Sequence, residues 1–317
     1  DAALGDMLVF TWDGIGLGPD DSLWGGEALL GQPGQWRRVA SFRPFRLPGG
    51  ERAGREPWRS AAALCWETGS DCPLEEAGDP LLHSFWQQGK NAPSTTAVGR
   101  LFDAAAALCG VVTKASFEGQ GPMQLEALAA NHFNEIHRHP NNSPRHPNSS
   151  HRHRNNRHRH PSNRHLHPNN SHRHPNNSHR HPNNSHRHPG ESRDLHPISM
   201  ELKRPPATGN EKIYIADWAT LLPMLTDGSL SPANRAARFH LAMAHTLLDQ
   251  ARQVREDMGV SAIGLSGGVF QNRVLTEKAM ALLNTDGFAV TLPSLVPVND
   301  GGISFGQIID YAYNGQQ

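Results

Sequence analysis

Twelve residues near the C-terminal end, Ala262-Ile263-Gly264-Leu265-Ser266-Gly267-Gly268-Val269-Phe270-Gln271-Asn272-Arg273, narrow the folds open to this chain. An apolar run halts at Ser-Gly-Gly, and helical spacing follows at Val274, Leu275, Met280, Leu282 and Leu283. That pattern predicts a buried strand, a tight glycine turn and a helix N-terminus. Glycines without Cβ let a phosphate or ribose approach the backbone, and the free N–H groups of a helix start favour an anion. A turn of this kind also occurs as plain α/β packing, so its meaning depends on the rest of the chain. Asp13-Gly14-Ile15-Gly16-Leu17-Gly18 likewise follows an apolar strand over residues 7–12, and Val298-Asn299-Asp300-Gly301-Gly302 opens a closing helix. Three glycine bends at strand ends can meet around one ligand in an open α/β sheet.

Between these bends the pattern alternates strands and helices. Residues 7–48 read as a β meander with glycine-bearing turns, and Glu56-Pro57 starts a helix carrying residues 61–66. Val98, Leu101, Phe102, Ala105 and Leu108 form an i, i+3, i+4 stripe, with Asp103 on its polar side, where a solvated surface carboxylate is the ordinary reading. A glycine loop over residues 115–122, containing Gly121, leads into a helix over 123–130 that carries Glu126. Later come a short strand at 213–215, a short helix at 218–225 and a long amphipathic helix over 232–257. His240 and His245 on the long helix lie five apart, not four, so they read as packed or capping residues and not as a helical metal pair. A strand at 288–291 and a helix at 303–313 close the chain.

Residues 137–189 are of another kind. The unit His-Arg-His-Pro-Asn-Asn-Ser repeats cleanly from His172 to Ser185, and Leu166 alone breaks an otherwise unbroken polar run. Polar a and d positions exclude a coiled coil despite the seven-residue period. With no apolar surface to offset chain entropy, the expectation is disorder. Three readings stay open: a neutral repeat expansion, a nickel-, zinc- or copper-binding tract, and an Arg/His segment attracting phosphate or RNA.

Thirty Lys and Arg against thirty Asp and Glu leave no net charge with His neutral, which argues against a nucleic-acid or membrane-surface partner for the whole chain. No run of about 18 apolar residues is present, and none of these residues reads as a secretory signal peptide. The three cysteines, Cys65, Cys72 and Cys109, include no C-x-x-C pair and sit in apolar, helical surroundings, so inert reduced thiols in a cytoplasmic protein are the economical reading. The chain starts at Asp1 almost inside a core strand and reads as a piece of something longer.

Several long strings carry a resemblance. Trp24-Gly25-Gly26-Glu27, Phe45-Arg46-Leu47-Pro48-Gly49-Gly50, Arg55-Glu56-Pro57-Trp58-Arg59, Ser116-Phe117-Glu118-Gly119-Gln120, Leu265 to Arg273 and Pro297 to Gly302 resemble the C-terminal region of the HypF carbamoyltransferases of [NiFe]-hydrogenase maturation. The similarity spans nearly everything but the His-rich insert. It implies an α/β, actin/sugar-kinase/Hsp70-type two-lobed nucleotide-binding fold whose first lobe is incomplete. Residues 1–136 would be the remainder of that lobe plus a helical part, 137–210 a disordered insertion and linker, and 211–317 the second lobe. The implied reaction moves a carbamoyl group from carbamoyl-adenylate, made from carbamoyl phosphate and ATP, to the C-terminal cysteine of HypE. The resemblance places Asp13, Gly14, Gly16, Asp103, Gly121, Glu126, Gly267, Gly268 and Asn272 around the nucleotide. It makes Asp300 the catalytic residue and ligand of a divalent metal (Zn, Fe or Mg). The family's paired metal histidines have no counterpart here, and Ile15 stands where the family usually has Thr. The insert as a metal-binding module and an O-carbamoyltransferase acting on a small molecule are the rival functions.

Overall fold

Alternating burial along the first strand fixes the centre of the molecule. In this computed structural model, which describes residues 5–138, 195, 198–204 and 213–314, strand β1 (Met7–Leu17) turns Leu8, Phe10 and Trp12 wholly inward. The two-residue period of a strand puts these three on one face. β2 (Leu23–Gln32) and β3 (Gln35–Phe42) continue as an antiparallel meander. A short pair, β4 (Phe45–Arg46) and β5 (Ser94–Thr95), brackets helices α1 (Pro57–Thr68) and α2 (Pro80–Gln87). Helices α3 (Val98–Leu108) and α4 (Gln120–Arg138) follow. Beyond the insert come β6 (Glu201–Lys203), β7 (Tyr214–Asp217), α5 (Leu222–Leu225) and α6 (Pro232–Met258). β8 (Ala262–Ser266), α7 (Arg273–Thr285), β9 (Ala289–Thr291) and α8 (Ile303–Asn314) complete the order.

Along its main path the sheet runs β6-β7-β3-β2-β1-β8-β9. β1 is central, antiparallel to β2 and parallel to β8, with Leu8 opposite Ile263 and Thr11 opposite Ser266. The boundary expected between residues 136 and 211 therefore does not separate two sheets. Strands from 1–136 and from 211–317 hydrogen-bond to one another and share a core. Residues 201–203, expected in a disordered linker, instead form β6, antiparallel to β7 with Leu202 opposite Ala216. Their alternation lets Leu202 pack on the core while Glu201 and Lys203 face outward. The His-rich repeat at 139–194 lies outside the described residues.

Helix α6 shows how local chemistry and packing agree. Ser231 caps it by accepting from Asn234 N–H, Pro232 supplies a pre-set first turn, and Gly259 ends it with a left-handed φ of 72°. Its apolar face, including Phe239, Met243, Leu247 and Val254, is fully buried. Each such side chain contributes roughly 1.5–3 kcal/mol of transfer free energy. No helix among the described residues is long and apolar enough to cross a membrane.

The turn after β8 has one position that only glycine tolerates. Gly267 holds φ at +104°, and a Cβ there would lie 2.1 Å from the carbonyl oxygen of Trp12. Gly267→Ala is expected to destabilise the fold by about 2–4 kcal/mol through strain and clash. Urea unfolding of the two proteins measures this, and a loss under about 0.5 kcal/mol would contradict the packing described.

Candidate functional site

The site begins with an irregularity in β1. Pairing with β2 steps from Trp12 opposite Gly26 to Gly16 opposite Trp24, so residues 13–15 face Gly25 alone and bulge outward. Bulges of this kind re-aim a side chain at the end of a strand. Glu27 holds the partner strand in place from beneath. Its Oε2 accepts from the N–H groups of Gly25 (2.6 Å) and Gly26 (2.7 Å), while Oε1 accepts from Ser41 Oγ (3.0 Å) and Thr96 Oγ1. Four donors satisfy a carboxylate that is 1 % exposed.

The bulge aims Asp13 across the β1–β8 seam. Its carboxylate accepts from Gly14 N–H at 2.8 Å and from Gly268 N–H in the Ser-Gly-Gly turn. Gly267 N–H in turn donates to Val298 O at 2.7 Å, which ties the 298–302 loop to the same place and sets Asp300 against Asp13. Burial, reinforced by the negative charge of Asp300, raises the Asp13 carboxyl above its ordinary value, against the pull of the two N–H donors. The three glycine bends thus meet.

Opposite them stands α3. Asp103 is 2 % exposed, not the surface carboxylate expected from the stripe, because α1, α4 and the sheet enclose the helix. Its Oδ2 touches Arg100 Nη1 at 2.8 Å, yet Arg100 Nε, Arg100 Nη1 and Asp103 Oδ2 are buried without an aligned hydrogen bond. Burial pushes the Asp103 carboxyl up to about 7, opposed by Arg100 and assisted by Glu118. Glu118 reaches Arg100 Nη2 at 3.4 Å from the exposed loop before α4. Orphaned polar atoms in a cleft mark a place for a ligand with hydroxyl or amide groups to complete them.

The third wall is the start of α7. Asn272 caps it, its Oδ1 accepting from Leu275 N–H at 2.9 Å. The Asn272 amide then donates to His240 Nε2 at 3.0 Å, and His240 Nδ1 lies 2.8 Å from Ala236 O. Burial lowers the His240 pKa to about 4, so the ring is neutral with its proton on Nδ1. Glu126 from α4 completes the cap, accepting from Arg273 N–H (2.8 Å) and Val274 N–H (3.3 Å).

A cleft of about 610 Å³ joins these walls, lined among others by Asp13, Asp103, Glu126, Gly268, Asn272 and Asp300. Three expected glycines lie outside the lining of this cleft. Gly267 lies under Trp12. Gly121 presses α4 against Ala106 of α3, and Gly16 lines a neighbouring cleft that shares Asp13 and Asp300. Arg100, Glu118 and Glu27 escaped the sequence reading as individual site residues. The Trp-Gly-Gly-Glu and Ser-Phe-Glu-Gly strings were the only signal for the last two.

Nucleotide chemistry fits this cleft, since a ribose could pair with the unaligned Arg100 and Asp103 atoms. For a cation, Asp13 and Asp300 offer hard oxygens suited to Mg²⁺, and their mutual repulsion is what such an ion relieves. No group of three or more His, Cys, Asp or Glu with metal-holding geometry exists among the described residues. The nitrogen- or sulfur-rich set that zinc or iron prefers is thus not formed there.

Comparison with known proteins gives a concordant picture. The family described as carbamoyltransferase, Kae1-like domain, second subdomain, matches residues 9–156 and 193–307. Carbamoyltransferase HypF of Synechocystis sp. is 28% identical, over 96% of this chain and 34% of that protein. Carbamoyltransferase HypF2 of Cupriavidus necator is 30% identical, over 93% and 32% respectively. A crystal structure of full-length HypF in a phosphate- and nucleotide-bound form superposes with a TM-score of 0.71 at 24% identity, covering 99% of this chain and 34% of that one. The chain spans about a third of the length of these relatives.

Asp103 allows a test of the electrostatics. Its folded pKa of about 7 exceeds the ordinary carboxyl value of 3.8, so its contribution to stability is fully present below about pH 4 and lost as pH rises through 7. His240, with its folded pKa lowered to about 4 from 6.5, works in the opposite sense between those two values. Comparing Asp103→Asn with the parent isolates the first effect. The variant should gain stability relative to the parent as pH rises from about 4 to 7, then stay level. A difference in urea midpoints that does not change with pH would contradict the buried, raised carboxyl.

Proposed function

The chain belongs to the HypF carbamoyltransferase family, and from that premise we propose that its cleft binds an adenylate and presents a carbamoyl group for transfer. The observation that carries this reading is the single cleft joining Asp13, Asp103, Gly268 and Asp300. In this reading the donor is carbamoyl-adenylate, formed from carbamoyl phosphate and ATP, and the acceptor is the C-terminal cysteine thiolate of HypE. The thiolate attacks the carbamoyl carbon, the bond from that carbon to the phosphate oxygen breaks, and AMP leaves.

Each wall has a part in that arrangement. Asp103, near neutrality in its titration, accepts or donates a hydrogen bond to a ribose hydroxyl, and Arg100 supplies a fixed positive charge and unpaired donors beside it. Gly268 leaves the floor of the cleft free of a side chain: a Cβ there would meet Asp13 Oδ1 at 3.1 Å. The caps from Asn272 and Glu126 fix the start of α7 so that the wall does not shift when a ligand enters. Asp13 and Asp300 would hold a divalent cation, which when bound polarises the carbamoyl carbonyl as a Lewis acid. Positioning of this kind, not new covalent chemistry, is what the chain's own residues contribute.

The nucleotide part of the reading is tested by calorimetry. Gly268→Arg places a long cation where the cleft floor is open, next to Asp13, and should weaken AMP binding at least roughly tenfold, or about 1.4 kcal/mol. Unchanged affinity in a folded variant would remove the assignment of this cleft to the nucleotide.

A further inference from the structure

Away from the cleft, the end of α1 brings two cysteines together. Cys65 sits in the last turn of the helix, wholly buried. The helix stops at Gly69, whose left-handed φ of 66° reverses the chain, and Ser70 N–H returns to Cys65 O at 2.9 Å. That reversal carries Cys72 back over the same spot, where it packs on the core cluster that contains Cys65 and on Trp58 and Ala62 of α1. The two thiols are hydrogen-bonding neighbours, and both are free. They differ in access: Cys65 is 0 % exposed, whereas Cys72 is only partly buried.

They differ in chemistry too. The hydrogen bond from Cys65, aided by the N–H of Leu74, draws the Cys72 thiol below its usual range against the effect of burial. The same pairing, with burial, pushes the Cys65 thiol up. The more accessible thiol, with its pKa lowered, is the one that attacks, and a wholly buried neighbour in contact is the one that resolves. Cys72, only partly buried, departs from the expectation of buried thiols. Cys109, 1 % exposed and pushed up to about 11 by burial, fits that expectation.

We propose that Cys72 and Cys65 form a reversible dithiol–disulfide site at the C-terminal end of α1, with Cys72 as the attacking thiol, Cys65 as the resolving thiol and a low-molecular-weight disulfide of the glutathione type as the oxidant. The Cys72 thiolate attacks one sulfur of that disulfide, giving a mixed disulfide and releasing the first thiolate. The Cys65 sulfur attacks Cys72 Sγ as its proton passes to the departing small thiolate, and the second small thiol leaves. The protein loses two hydrogens, and the oxidant becomes two thiols, so electrons balance. The product loop is short, closing between residues 65 and 72.

The experiment uses the full chain equilibrated with glutathione disulfide, quenched with iodoacetamide, digested and read by mass spectrometry. The expected product is a Cys65–Cys72 linked peptide that dithiothreitol reverses, with Cys109 unmodified. Cys65→Ser should instead accumulate the Cys72–glutathione adduct, and Cys72→Ser should form neither link nor adduct on the same time scale. A measurement on the parent chain guards against a variant that misfolds. In the reduced protein, Cys72 should alkylate at least roughly tenfold faster than Cys65, with a rate rising through about pH 7. A lasting glutathione adduct on Cys72 of the parent chain would overturn the proposal. So would equal alkylation of the two thiols.

Discussion

Parallel pairing of β1 with β8 is the contact on which the rest of the structure depends. It joins residues some 250 positions apart in the chain, Leu8 to Ile263 and Thr11 to Ser266. It also places the Ser-Gly-Gly turn directly beside the bulge that aims Asp13. The register leaves no slack, because the backbone of Gly267 fits under the carbonyl of Trp12 where no Cβ has room. A one-residue slip would send Leu8, Phe10 and Trp12 to the wrong face and separate Asp13 from Gly268 at once. Core and site therefore share one constraint.

Around that seam, some buried polar groups are fully satisfied and others are left open. Glu27 has four donors, and Asn272 and His240 satisfy each other in one tautomer. These groups make the walls rigid. Arg100 and Asp103, nearly as buried, touch without an aligned hydrogen bond. Unmet hydrogen-bonding capacity inside a protein costs about 1–3 kcal/mol per group, and a ligand that completes it recovers that cost. Arg100 and Asp103 bring those unaligned atoms to the lining of the cleft, beside the satisfied Asn272.

Much of this was legible in the residues alone, for reasons that can be named. The strand–glycine–helix punctuation at 262–273 and the alternation over 7–12 are local signals, and both elements formed where their periods placed them. The long helix ending near 257 was readable from its cap, its proline and its stripe. What escaped was non-local. The polar side of α3 reads as surface until α1, α4 and the sheet close over it, so Asp103 changed from a solvated carboxylate to a buried one. The parallel β1–β8 seam joins segments that sequence order sets far apart, and nothing in either strand says that 1–136 and 211–317 contribute to one sheet. Glycine roles were also ambiguous: absence of a Cβ leaves the cleft wall open at Gly268 but makes room for a neighbouring carbonyl at Gly267, and only the fold separates the two. Cys65 and Cys72 were passed over because their seven-residue spacing matches no motif until Gly69 folds the chain back.

The central claim is that bends far apart in sequence enclose one ligand. Hydrogen–deuterium exchange of the chain with and without saturating AMP addresses it directly, since every wall reports in one experiment. The account predicts that amides at 13–16, 99–103, 118–126, 268–274 and 299–301 gain protection together, with the far edge of the sheet at β6 and β7 unchanged. Protection limited to one of these segments, or none at all at ligand concentrations that saturate a nucleotide site, would contradict it.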